Sequence, residues 1–411
     1  MVMPEVLEVD ASQAPVGKRA RRSSAASTTC SEGLSPTEVV LKEPEESEME
    51  GPLTIERLRA PESAGGAGLS SNDIARLMES GFTTVESIAF TPMRRLVGAV
   101  KSIGEQKSER MKLAAAKLIP MGFQSANDCL KQRTEMIKLS TGSAAMDGLL
   151  KGGIETGSIT EVIGEFKSGK TQLCHTLAVT TQLPISKGGA AGKIIYIDSE
   201  GTFRPERFVE ICERFQMKSE IALANIVVAR AYNSDHQLRL LIEATTVMAG
   251  GARFALLIVD SATALFRTDY SGRGELAERQ QSLSRFLRLL QRISDEYGTA
   301  VVITNQVIAN VDSFGGFGPS AKPAGGHVIA HASQTRLFLR KGMADKRICK
   351  VIDSPSLPDS ETAFFISVHG VGDEGMGKKG GRDSKEGGNS DDDEADTKTM
   401  RNCEANAQLR S

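Results

Sequence analysis

The feature that most limits what this chain can become is an eight-residue loop at 164–171, Gly-Glu-Phe-Lys-Ser-Gly-Lys-Thr. It follows an apolar run at 158–163 and opens a helical stretch expected to begin near Gln172. Glycines at both ends let the backbone wrap a triphosphate, its amides point inward, and the following helix presents the positive end of its dipole. In that reading Gly164, Glu165, Phe166, Lys167, Ser168, Gly169, Lys170, Thr171 and Gln172 form the nucleotide cradle. Lys170 reaches the β and γ phosphates and Thr171 ligates Mg²⁺. Strand before and helix after are the context that separates a working phosphate loop from a chance match in a glycine-rich chain.

The chain has 411 residues, more than one average domain, and 40% hydrophobic residues, enough for a large α/β core with smaller appendages. A net charge of -2 rules out a bulk polycation, so any nucleic-acid contact has to come from local basic loops. Cys30, Cys129, Cys174, Cys212, Cys349 and Cys403 are far apart and show none of the short paired spacings of zinc sites or disulfide frameworks. They read as reduced intracellular thiols. With no apolar stretch near the roughly 20 residues that cross a bilayer, and no apolar secretory signal, a soluble intracellular protein is expected.

Residues 1–50 are rich in Ser, Glu, Pro and Ala, with little apolar periodicity, and are expected to be a disordered tail. Within them Lys18, Arg19, Arg21 and Arg22 make a basic cluster that is either a nuclear address or a solvated charge run. Residues 371–411 mix Gly, Lys and the acidic run Asp391, Asp392, Asp393 and Glu394, and are expected to be a second tail. Between them, residues 51–118 carry short helical patterns, with apolar Ile74, Leu77, Ile88, Leu96 and Val97 interrupted by Gly81, Pro92 and Gly98. The segment Val100, Lys101, Ser102, Ile103 and Gly104, with the helical pattern after it, is either a helix-hairpin-helix whose amides and lysines hold a DNA phosphate, or a plain packing unit. The stretch 60–68 reads as a tolerated surface loop.

Residues 119–140 read as a linker, and Phe123 on it needs something to bury it. Either it packs back on its own domain, or Phe123 and Ala126 insert into a neighbouring copy while the backbone adds a strand to that copy's sheet. From 141 to 370, β-branched runs at 193–198, 226–231, 254–260 and 300–304 alternate with amphipathic segments such as 276–293. That order predicts an α/β fold with a largely parallel sheet covered by helices on both faces, and ligands outside the carboxyl ends of its strands.

The polar residues at those ends are therefore the candidates. Asp260 closes an apolar strand and suits a carboxylate that orients Mg²⁺. Of Asp198, Ser199 and Glu200, the last is favoured to polarise the water that attacks the γ-phosphate, against the alternative that it caps the next turn. Gln306 closes another strand, where its amide can sense that phosphate. A long loop, 307–331, with Phe314, Phe317 and Lys322, follows, and a second loop, 267–274, holds Arg267, Tyr270 and Arg273. Arginines that neutralise phosphates beside apolar wedges are a recipe for gripping single strands; the alternative is a pair of lids over the nucleotide.

Three segments carry a family resemblance: Gly-Glu-Phe-Lys-Ser-Gly-Lys-Thr-Gln-Leu-Cys-His at 164–175, Tyr-Ile-Asp-Ser-Glu-Gly-Thr-Phe-Arg-Pro-Glu-Arg at 196–207, and Leu-Ile-Val-Asp-Ser-Ala-Thr-Ala-Leu-Phe-Arg-Thr-Asp-Tyr-Ser-Gly-Arg-Gly-Glu-Leu at 257–276. On these the chain resembles the eukaryotic homologous-recombination recombinases of the RecA and RadA family, over about residues 51–372. The resemblance implies a RecA-like P-loop ATPase core behind a small all-α helix-hairpin-helix domain. It also implies filaments of identical subunits on single-stranded DNA, strand exchange with double-stranded DNA, recombination mediator proteins as partners, and a nuclear location. Lys170, Thr171, Asp260 and Glu200 become the ATPase residues, with Gln306 as γ-phosphate sensor; Arg267 and Arg273 belong to the first DNA loop, Val311 and Phe317 to the second; Phe123 and Ala126 form the protomer link. Because ATP sits between protomers in this family, Asp353, Ser354 and Pro355 cap the neighbour's nucleotide and Arg207 lies near the adenine.

Gly201 after Glu200 favours the general DNA-repair recombinase over its meiosis-specific sister. His327 stands where asparagine is common, Phe90 replaces a usual tyrosine, and the second DNA loop is shorter and richer in glycine than the family pattern. Two other classes compete: a phosphate-loop nucleic-acid motor, and an adaptor paralogue that assembles filaments with little pairing activity of its own.

Overall fold

The computed structural model describes residues 52–99, 103–119, 121–272, 274–309, 321–343 and 345–375. The basic cluster at Lys18–Arg22, hairpin residues 100–102, Arg273, Val311, Phe314, Phe317 and the acidic run at 391–394 lie outside the described residues.

The chain enters with two short 3-10 turns and four helices: α1 (Ser71–Glu79), α2 (Val85–Phe90), α3 (Met93–Ala99) and α4 (Glu105–Leu118). Ser70 caps α1 through a reciprocal box with Asp73, and the Thr84 hydroxyl accepts the Ser87 amide at the start of α2. These helices close around their own apolar cluster, in which Leu58, Leu77, Val85, Ile88 and Met111 are completely buried. The stretch 60–68 is exposed over 61–64, as a surface loop should be, but its end turns into that cluster. Ala67 and Leu69 are buried, and a side chain at Gly66 would meet the Ala60 carbonyl oxygen at 1.9 Å.

Helix α5 (Ala126–Glu135) follows, inside the stretch read as a linker. Its start is written in Ser125 and Asp128: the Ser125 hydroxyl accepts the Asp128 amide at 3.2 Å. A two-stranded ribbon of β1 (Lys138–Leu139) and β2 (Ile154–Glu155) brackets α6 (Ala144–Leu149).

The remaining elements run β3 (Ile159–Gly164), α7 (Lys170–Thr180), β4 (Lys193–Asp198), α8 (Pro205–Arg214), α9 (Ser219–Ala224), β5 (Ile226–Arg230), α10 (Ser234–Met248), β6 (Phe254–Asp260), α11 (Ala264–Asp269), α12 (Leu276–Tyr297), β7 (Ala300–Ala309), β8 (Ala321–Pro323), α13 (Gly326–Ala332), β9 (Thr335–Lys341), β10 (Lys346–Asp353), β11 (Glu361–Ser367) and β12 (Gly370–Gly372). They build one sheet in the order β12-β11-β10-β9-β3-β7-β6-β4-β5, with β8 paired to β7. From β9 to β5 all neighbours are parallel.

Successive strand residues point to opposite faces. Thus Val162, Tyr196, Ile258 and Val302 join one apolar layer with Leu173 and Leu177 of α7 and Phe208 of α8. Ile197, Leu257, Val301 and Ile303 join the other with Leu241 of α10 and Phe286 and Leu290 of α12. Both faces are covered, which is why the parallel strands read as unbroken apolar runs. The antiparallel wing β9 to β12 was not anticipated. Charged residues interrupt its apolar runs, as Arg347, Lys350 and Asp353 do in β10, so it lacks those long runs.

Candidate functional site

β3 ends at Gly164, and α7 begins at Lys170 with Gly169 before it in the left-handed region (φ 107°). Both glycines are required by contact: a Cβ at Gly164 would fall 2.5 Å from the Leu339 carbonyl oxygen, and one at Gly169 would fall 2.7 Å from the Ile366 side chain. The loop bounds a cavity of about 790 Å³, lined also by Glu200, Thr202, Asp260, Gln306, Val307, Arg347 and Ile366. The hydroxyl of Thr202 is buried on this wall without a partner, as is that of Ser168 inside the loop. Loop amides, a helix N-terminus, a lysine and vacant hydroxyls are what a polyphosphate needs.

The Lys170 ammonium donates to the carbonyl oxygens of Gly164 and Glu165, 2.9 Å each, so it lies folded onto its own loop. Burial pulls its pKa below the ordinary lysine value, opposed by the carboxylates of Asp260 and Glu200. At the end of β6, Asp260 is held by three hydroxyls. Thr171 donates to Oδ2 at 2.8 Å, Tyr196 to Oδ2 at 3.0 Å and Thr304 to Oδ1 at 2.6 Å. Burial first, then the Asp260 carboxylate, pushes the Tyr196 phenol well above its usual range. Thr171 and Asp260 are an oxygen-only pair of the kind hard divalent cations take.

The three polar residues after β4 divide their duties. Asp198 accepts the amides of Glu200, Gly201 and Phe203 at 3.0, 2.7 and 3.2 Å, and so anchors the turn. That leaves Glu200 free to face the cavity, where Gln306 Nε2 donates to its Oε1 at 2.7 Å. Burial, then repulsion from Asp260, raises the Glu200 pKa, while Gln306 and Lys170 pull it down. Arg267 Nη1 donates in turn to Gln306 Oε1 at 3.3 Å, so the first candidate DNA loop touches the residue that touches Glu200.

The other candidates lie further out. Arg207 donates to Gln172 Oε1 at 2.8 Å, and its guanidinium also engages Glu210 and the carbonyl oxygens of Ser367 and Val368, beside the cavity and not on its wall. Tyr270 is half-buried against the apolar layer beneath α12. Asp353 ends β10, Ser354 and Pro355 follow it, and none of the three lines this protomer's cavity. Phe123 is fully exposed (112%), with Ala126 exposed at the first turn of α5.

Several residues escaped the sequence reading. Tyr196 and Thr304 looked like ordinary strand residues, and Arg347 and Ile366 reach the cavity from the unexpected antiparallel wing. Glu161 sits mid-strand in β3, completely buried, and takes Asn305 Nδ2 at 2.6 Å and Arg336 Nε at 2.7 Å. A carboxylate inside an otherwise apolar strand was the one visible signal.

Comparison with known proteins agrees with this geometry. Residues 132–374 match the family model described as Rad51. The chain is 54% identical over 330 residues to the DNA repair protein RAD51 homolog B of Zea mays, covering 80% of this chain and 95% of the relative. It is 54% identical over 335 residues to the DNA repair protein RAD51 homolog 1 of Arabidopsis thaliana, covering 81% and 96%. With the DNA repair protein rhp51 of Schizosaccharomyces pombe it shares 53% over 324 residues, covering 79% and 86%. A nucleotide cradle at the carboxyl end of a parallel sheet, matched at this identity over nearly the whole length of such relatives, makes the chain a member of the Rad51 family.

Proposed function

We propose that this protein is a DNA-dependent ATPase that assembles into helical filaments on single-stranded DNA and carries out homology search and strand exchange in the repair of double-strand breaks. The observation that carries the reading is the contact chain Arg267, Gln306, Glu200: one amide is shared by a DNA-loop arginine and the carboxylate that faces the nucleotide cavity. The organisation that suits this is a helical DNA-binding domain at 51–118, a linker at 119–140 and an ATPase core at 141–370, which the buried Leu139 of β1 and Val371 of β12 extend at both ends.

The cradle at 164–172 takes the triphosphate, with Lys170 leaving its own carbonyls for the β and γ oxygens. Thr171 and Asp260 would hold Mg²⁺, whose chemistry is to neutralise charge on the β and γ oxygens. Thr171 and Asp260 would supply only part of the oxygen set a divalent cation takes, and phosphate oxygens would add to it. Glu200 takes the proton of the attacking water, and the rise of its pKa through burial and the neighbouring Asp260 makes it a stronger base. Gln306 registers the γ-phosphate, and Arg267, released from Gln306, pairs with a DNA phosphate. Arg273, Val311 and Phe317 complete the DNA grip. Hydrolysis removes the γ-phosphate contacts, so turnover is slow and stimulated by DNA.

Filament growth uses Phe123 and Ala126. Among the described residues the sheet edge at β5 is unpaired on its outer side, with Val227 40% and Val228 47% exposed, which suits an added strand from a neighbouring linker. Asp353, Ser354 and Pro355 then cap the neighbour's nucleotide. Among the described residues no helix is long and apolar enough to cross a membrane, and the basic cluster at 18–22 suits a nuclear address.

The test is strand exchange between a circular single strand and a matching linear duplex, with and without ATP. Wild type forms joint molecules only with ATP, and Lys170→Ala neither binds ATP nor pairs strands. Pairing at the wild-type rate by Lys170→Ala refutes the coupling. Unwinding without pairing would instead mark a motor, and nucleotide binding with neither activity an adaptor.

A further inference from the structure

We propose that Tyr196 and Thr304 are positioning residues for the nucleotide-bound cation, fixing the Asp260 carboxylate from two sides so that a divalent ion on the triphosphate meets it already oriented. The inference rests on the ATPase reading above and adds two residues to which the sequence assigned no role.

Three adjacent parallel strands create the arrangement. In the register of β4, β6 and β7, Tyr196 stands opposite Ile258, two residues before the end of β6, and Thr304 lies two residues past Val302, the partner of Ile258. Side-chain alternation therefore sends Tyr196, Asp260 and Thr304 to the same face of the sheet, the one covered by α7. Tyr196 and Thr304 are completely buried, so no water competes for the carboxylate. The phenol ring has nowhere else to turn: Phe203 meets it edge-on at 5.0 Å between centroids, and His175 of α7 lies at 5.9 Å.

The three bonds on Asp260 differ in what a ligand does to them. Thr171 belongs to the phosphate loop, and its hydroxyl oxygen would itself be a cation ligand. Tyr196 and Thr304 do not line the cavity, and their bonds at 3.0 and 2.6 Å reach the carboxylate from within the sheet. One fixes Oδ2 and the other Oδ1, which sets both the rotation and the tilt of the carboxylate. Partners of this kind hold ligand orientation, and losing one costs about 10–100-fold in metal affinity or activity.

The experiment titrates magnesium into the full-length protein with a fluorescent ATP analogue, and repeats the nucleotide titration in excess EDTA. Tyr196→Phe keeps the ring and Thr304→Val keeps the volume, while Thr304→Ser restores the hydroxyl. The magnesium concentration at half-saturation should rise about 10-fold or more in Tyr196→Phe and in Thr304→Val and return toward wild type in Thr304→Ser. Nucleotide affinity in EDTA and the thermal midpoint of Thr304→Val should stay near wild type. Magnesium curves that overlay wild type in both variants overturn the inference, as does an equal loss of affinity with and without magnesium, which would mark plain packing damage. A wild-type protein whose nucleotide binding ignores magnesium overturns the ATPase reading itself, and this inference with it.

Discussion

Glu161 and Glu296 are both buried carboxylates of the same ATPase fold, yet the protein treats them in opposite ways. Glu161, under the middle of the sheet, has each oxygen in a short bond, to Asn305 at 2.6 Å and to Arg336 at 2.7 Å. Glu296, 4% exposed at the end of α12, stands where the helical region docks on the core. It receives one hydrogen bond, from Thr84 of the helical region, and its second oxygen has none. The nearest cation, Arg292 Nε, is 3.7 Å away, and that guanidinium also donates to the Gly81 carbonyl at 3.2 Å. Burial accordingly pushes the Glu296 pKa up from 4.5 to about 7, with Glu86 adding to the rise and Thr84 and Arg292 opposing it. The sheet that carries the nucleotide residues is locked by fully compensated charge, whereas the seam between helical region and core is held by a carboxylate the fold prefers to keep protonated.

Removing the cation under the sheet gives the largest expected effect. Arg336→Ala strands Glu161 without its charge partner and should cost about 3–5 kcal/mol in urea unfolding. A loss under about 1 kcal/mol would erase the contrast. Next comes Glu296→Gln. A carboxyl with a raised folded-state pKa contributes stability that is fully present below 4.5 and lost as pH climbs through about 7. Glutamine keeps the Thr84 bond without the charge. The variant should lose that pH slope and, above pH 7, exceed wild type by up to about 3 kcal/mol. Denaturation profiles that superpose from pH 4 to 8 contradict the account of the joint. The smallest effect on folding is reserved for Phe123→Glu: the residue is fully exposed, so stability should move by less than about 0.5 kcal/mol. Self-association should nevertheless disappear, and light scattering equal to wild type would remove Phe123 from the protomer contact.

The same contrast explains what could be read from the sequence. The loop at 164–171, the carboxylate closing β6 and the runs of β4, β6 and β7 were legible because each is local: a strand period, a turn residue, a helix start. Glu200 was preferred to Asp198 from the sequence, and in the structure the Asp198 carboxylate is taken up by the amides of Glu200 and Gly201. Tyr196, Thr304 and the pairing of Glu161 with Arg336 were not, because they join residues 44 to 175 positions apart. The seam was hidden for the same reason: Thr84 and Glu296 are 212 residues apart, and neither lies in a motif. Helix α5 was missed although Ser125 and Asp128 announce it, because its flank has no apolar stripe and none of its residues is buried.

The central claim is that bound ATP joins identical subunits into a helix that encloses a single strand, and negative-stain electron microscopy tests it most directly. Full-length protein with a long single strand, ATP and magnesium should form regular helical filaments, and omitting the nucleotide or substituting Lys170→Ala should leave discrete particles. Discrete particles in every sample, or the same filaments without nucleotide, contradict the account.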